Sequence, residues 1–126
     1  LTDLYAEVLA KNAVEDSRAG TQKAETFFHS SGAVAELLTC GIFNKKMMPV
    51  LLKVKPGGRT EVEEYSAGSE RFVYVLRGRL QLMLEKESKT LNREQSAYFG
   101  ADRPHFFKNT GSGESLCLSV LTPVAP

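Results

Sequence analysis

Histidine and cysteine, the side chains that hold most transition metals, are scarce here: 126 residues contain two of each. Cys40 and Cys117 form no Cys-x-x-Cys pair and belong to no zinc-ligand spacing, which excludes a cysteine-based metal module or a dithiol redox motif. They read as two free thiols of a reducing compartment, so the expected location is the cytoplasm. No apolar run approaches the length of a bilayer span, and no secretory signal pattern opens the chain, so no membrane partner is expected. An excess of either charge is also missing. Sixteen basic and fifteen acidic residues leave a formal charge of +1, without the concentrated basic patch that gripping nucleic acid requires. Internal repeats and low-complexity tracts are absent too.

What is present suits one soluble domain. A chain of this length supports a single core, and 42% hydrophobic with 25% charged residues is an ordinary globular composition. Leu1, Leu4, Tyr5, Val8 and Leu9 lie on one face of a predicted helix over residues 1–14. Thr2 and Asp3 suit its start. The pattern fades between Val14 and Lys23 into a polar arm, so residues 1–23 read as helix and linker and 24–126 as the folded domain. The chain opens on Leu1 rather than Met, as an excised or processed segment would.

Beyond Lys23 the period changes to two. Strands are predicted around Phe27–Phe28 and over 33–39, 48–55, 70–76, 79–85, 96–99, 105–108 and 115–122. Pro49 would restrict its strand to an edge or a bulge. Repeated short strands with Gly, Pro and Asn turns between them indicate an all-β sandwich or barrel.

Three segments resemble the cupin superfamily. Pro56-Gly57-Gly58, followed by the strand pair Phe72 to Leu80 around Gly78, is similar to its first motif. Ser96 to Gly111, with His105 followed four residues later by Asn109, is similar to its second, and Gln81 to Gln95 gives a spacer of the usual length. The resemblance implies a cupin-type β-barrel, of the jelly-roll or double-stranded β-helix kind, over roughly Glu25 to Pro126. Residues 35–39, 47–52 and 63–66 further resemble the C-terminal sensor domains of bacterial helix-turn-helix (XRE-type) transcription regulators. Leu1 to Leu9 then resembles the segment that leaves the DNA-binding domain.

Cupin enzymes hold a divalent ion with two histidines and a glutamate from the first motif and one histidine from the second. Laid on this sequence, the first-motif positions fall at Tyr65, Ala67 and Arg71, or at Glu64 and Ser66 if the gap shifts by one. Only His105 keeps a ligand type, and Arg71 would repel an ion. No metal or other cofactor is therefore expected, and no catalytic pair presents itself. Glu63, Glu64 and Glu70 read as a solvated acidic loop with a residual carboxylate-site alternative.

Residues two apart on a strand share a face, so Arg71, Val73 and Val75 go together, as do His105 and Phe107. If those faces point inward, Arg71, His105, Tyr65, Glu64 and Phe107 line a pocket for a small anionic ligand, with the arginine fork matching a carboxylate or phosphate. If they do not, Arg71 reaches solvent at the barrel mouth. The function implied by the resemblance is a ligand-sensing, homodimerising cupin domain that meets DNA only through a helix-turn-helix outside this chain. The rivals are a stand-alone metal-dependent dioxygenase or isomerase with a degenerate site, and a filled barrel that only binds or scaffolds.

Overall fold

The computed structural model describes residues 26–29, 32–39 and 45–123; the expected N-terminal helix and linker, and Cys40, lie outside them. Among the described residues nine strands follow one another: β1 (Thr26–His29), β2 (Ala33–Leu37), β3 (Met48–Val54), β4 (Glu70–Arg77), β5 (Leu80–Leu84), β6 (Glu87–Leu91), β7 (Ser96–Gly100), β8 (His105–Lys108) and β9 (Ser115–Thr122). One antiparallel sheet has the order β1-β2-β3-β9-β4-β7 and the other β6-β5-β8. Isolated bridges Arg59↔Lys108 and Glu63↔His105 lay residues 59–63 along the free side of β8. None of the described residues forms a helix long and apolar enough to cross a membrane.

The two sheets close on one core, as the period-two pattern requires. From the larger sheet come Ala33, Ala35, Leu52, Val54, Val73, Val75, Ala97, Phe99 and Cys117, and from the smaller one Leu80, Leu82, Leu84, Leu91 and Phe107. β9 turns its small residues inward: Ser115, Cys117 and Ser119 are buried with Leu121, while Leu116, Leu118 and Val120 lie half-buried on the outer face.

Pro49 departs from its expected edge position, since β3 runs between β2 and β9. The β2 ladder ends at Leu37↔Val50, and the Pro49 carbonyl still accepts from Leu38 N at 3.0 Å. Its missing N–H costs only the return bond to Leu38, at the point where the β2 ladder runs out. β6 escapes the sequence pattern because Glu87, Ser88, Lys89 and Thr90 are all exposed and only Leu91 is buried.

One residue from each motif fixes the barrel end. Buried Asn109 donates through Nδ2 to the carbonyls of Val54 at 2.9 Å and Gly113 at 2.8 Å, and its Oδ1 accepts from Gly111 N. It thereby ties the loop after β8 to the end of β3. Gly78 has φ +74°, and a Cβ there would come within 2.8 Å of the Glu114 carbonyl oxygen, so the β4–β5 turn accepts only glycine without moving backbone.

Candidate functional site

Arg71, Val73 and Val75 all point into the barrel. Of the two alternatives for the face of β4, the inward one holds. Arg71 is followed by two valines on the same face, so the guanidinium is carried into the core by an otherwise apolar strand. β8 contributes buried His105 and Phe107 from the opposite sheet, and β9 contributes Ser119.

The segment before β4 supplies the remaining groups. Glu63 N donates to the His105 carbonyl at 2.8 Å, His105 N returns the bond at 3.0 Å, and Tyr65 N donates to the Ala101 carbonyl at 3.0 Å. This pairing turns Glu63 and Tyr65 toward the interior and leaves Val62 and Glu64 exposed. Glu64, expected in the pocket, therefore sits one residue out of phase, and Glu63 takes the interior place. Ala67 and Glu70 are exposed as well. The inward set is Glu63, Tyr65, Arg71, His105 and Phe107.

These side chains form one network. Arg71 Nε donates to Ser119 Oγ at 3.0 Å. Its Nη1 donates to Glu63 Oε1 at 3.2 Å and to His105 Nε2 at 2.8 Å. The Tyr65 hydroxyl donates to Glu63 Oε2. His105 Nδ1 lies 2.8 Å from the Arg103 carbonyl, which can only accept, so Nδ1 carries the proton and Nε2 is the acceptor toward Arg71. The guanidinium carbon stands 5.5 Å from the Phe107 ring centroid and 5.8 Å from that of Tyr65, close enough for cation–π attraction.

Both His105 nitrogens are engaged in its neutral form. Burial and the neighbouring Arg71 charge push its pKa below the ordinary value, against the opposing pull of the Arg103 carbonyl and Glu63. Burial and the Glu63 carboxylate push the Tyr65 hydroxyl well above its usual range, so Tyr65 remains a donor. Cys117 is buried and free, and burial raises its thiol to about 12, which removes it as a nucleophile.

A lowered histidine pKa has a definite consequence for stability. The unfolded chain takes up a proton at His105 as pH falls through about 6.5, while the folded chain does so only at lower pH. Stability is therefore full above about 6.5 and falls below it, by up to about 1.4 kcal/mol per pH unit. Urea unfolding between pH 7.5 and 5 should show that slope, and His105→Gln should flatten it relative to the parent. An unchanged slope would mean that His105 titrates normally in the folded barrel.

The ion held by cupin enzymes does not fit these residues. Arg71 Nη1 occupies the Nε2 lone pair that a metal would need, and it places a fixed positive charge between His105 and Glu63. Among the described residues no three His, Cys, Asp or Glu side chains converge to hold an ion. The site instead presents a buried guanidinium, bonded through Nε and Nη1 to Ser119, Glu63 and His105, with the Tyr65 ring beside it. A buried cation with donors in a fixed fork favours an anion.

Comparison with known proteins gives four relevant likenesses. The model of the cupin domain family matches residues 50–121. Polyketide synthase CurC of Streptomyces cyaneus is 38% identical over 73 residues, covering 58% of this chain and 47% of that protein. Protein SchB of Streptomyces halstedii is 37% identical over 73 residues, covering 58% and 52%. The chain thus spans about half the length of the curated relatives it matches. Among solved structures, the cupin domain of an XRE family transcriptional regulator from Enterobacter cloacae superposes with a TM-score of 0.69 at 24% identity, covering 75% of this chain and 99% of that one. At that identity the likeness establishes the barrel fold alone.

Proposed function

This chain belongs to the cupin domain family, and we propose that its barrel binds a small anionic molecule through Arg71 in place of a metal ion. The observation that carries this reading is the buried Arg71 guanidinium, held by Glu63, His105 and Ser119 where an ion would need the His105 Nε2 lone pair. Binding rather than turnover is the role that follows, because His105 has neither nitrogen free for proton transfer. The domain then serves as the sensing and homodimerising part of a cytoplasmic helix-turn-helix regulator. Ligand occupancy would bias two arrangements of the dimer, and with them the fit of the DNA-binding pair to its half-sites. The whole-domain likeness to the Enterobacter cloacae regulator domain supports this assignment.

The higher identity to polyketide synthase CurC favours a second reading of the same pocket chemistry. There the barrel serves a polyketide-forming system and the anion is an acid made by it. The two readings share Arg71 and differ in the molecule held.

Native mass spectrometry with elemental analysis of the purified protein tests both. The expected result is a dimer carrying a small organic acid and no stoichiometric divalent metal, with the acid lost in Arg71→Leu. The mass of that acid separates a regulatory metabolite from a polyketide product. One divalent ion per chain, lost in His105→Ala, would overturn the proposal and bring the metal-dependent enzyme forward.

A further inference from the structure

The two sheets do not meet everywhere. β7 ends the larger sheet and β6 ends the smaller one, and between these edges lies a cleft of about 230 Å³. Its floor is Leu82, Leu84, Ala97 and Phe99, the inner faces of β5 and β7. The three core residues with most remaining exposure all lie here: Ala97 at 9%, Leu84 and Phe99 at 7%. Among the described residues the core is thus most open to solvent at this seam. Arg103 and Lys89 line the same cleft. Arg103 is half-buried and makes no ion pair among the described residues. Against these two cations stands one carboxylate, Glu87.

We propose that this cleft is a binding site for a small aromatic carboxylate, with the ring on Leu82, Leu84, Ala97 and Phe99 and the carboxylate at Arg103. An apolar cavity of roughly 150 Å³ accommodates benzene, so the cleft has room for a ring and an acid group. Apolar floor and cationic rim are the two features that such a ligand needs, and a small site gains specificity from few polar groups on an apolar lining. The site is separate from the Arg71 cluster and does not rest on it. Phe99 stands between them, its ring 5.0 Å from that of His105 in edge-to-face contact, so an occupant of the cleft touches the back of the same ring that packs on the central histidine.

Benzoate is the probe, titrated into the isotopically labelled full chain and followed by amide and arginine side-chain NMR. Saturable shifts centred on Leu84, Ala97, Phe99 and Arg103 are expected. Arg103→Met should weaken binding about tenfold, the equivalent of one lost charged hydrogen bond. Ala97→Leu, which fills the floor, should abolish it, and benzyl alcohol should bind no better than benzoate does to Arg103→Met. Shifts centred instead on Glu63, Tyr65 and Arg71, unaffected by Arg103→Met, would overturn the cleft while supporting the central anion site. No saturable shift with benzoate would overturn the cleft alone, since the central site is judged by mass spectrometry of the bound acid.

Discussion

Arg71→Met is expected to destabilise the barrel by about 3–5 kcal/mol, and adding Glu63→Gln should return much of that loss. The reasoning follows from what remains after each change. Arg71 and Glu63 are 6% and 15% exposed at their side chains, so their attraction is little screened by water. Methionine keeps an apolar stem but removes the cation that faces a largely buried carboxylate. Removing one member of a buried pair costs about 3–5 kcal/mol for that reason. It also strips His105 Nε2 of its donor, and an unsatisfied buried acceptor adds about 1–3 kcal/mol where no water reaches it. Glutamine at residue 63 removes that negative charge while still accepting from Tyr65. The double variant should therefore be more stable than Arg71→Met alone, a sign of coupling that independent sites would not give. Urea unfolding of the four proteins measures it. A loss below about 1 kcal/mol in Arg71→Met would place the pair in the class of solvated surface ion pairs, and the buried-cation account of the site would fail.

The strands were legible because their alternation is strong. Leu80, Leu82 and Leu84 alternate with polar residues, and Arg71 shares a face with two valines, so β4 and β5 stand in the structure close to where the sequence puts them. The same logic puts His105 with Phe107, and the motif resemblance adds Tyr65 and the inward direction of the Arg71 face. It fails at Glu63 for a physical reason. Between residues 62 and 65 the pattern is inverted: Val62 is 56% exposed while Glu63 turns inward. A hydrophobicity reading sends the valine in and the glutamates out. The carboxylate is drawn inward by Arg71, a partner eight residues away that reads only as a β4 residue until the backbone pairing Glu63↔His105 is known. That pairing sets the phase and puts Glu64 outside. β6 was missed because a strand exposed at four of five positions carries no periodic signal. Ser119 was missed because a lone serine in an apolar run says nothing about what it bonds until Arg71 is seen beside it.

The most informative substitution reverses the trade that the site embodies. Arg71→His should convert a cluster that repels divalent ions into one that holds them. The guanidinium now blocks the site twice over, by filling the His105 Nε2 lone pair and by supplying the positive charge that Glu63 balances. An imidazole at residue 71 would remove both obstacles. It would also join Glu63 and His105 as a third donor, and three protein ligands are the complement of open zinc sites. Support for the ring exists already: His105 Nδ1 donates to the Arg103 carbonyl, which fixes the ring with Nε2 facing the site. Tyr65, whose hydroxyl donates to Glu63 Oε2, would orient the carboxylate. The expected outcome is a zinc Kd on the order of micromolar, about −8 kcal/mol, where the parent shows no stoichiometric binding. Calorimetric titration reads the affinity, and a zinc-dependent rise in unfolding temperature confined to the variant confirms that the folded barrel is the form that binds. If the parent bound zinc as tightly as the variant, Arg71 would not occupy the ion's place. If the variant failed to bind while remaining folded, Glu63 and His105 would be too far apart to share an ion, and the guanidinium would be a bridge across a gap that no metal could close.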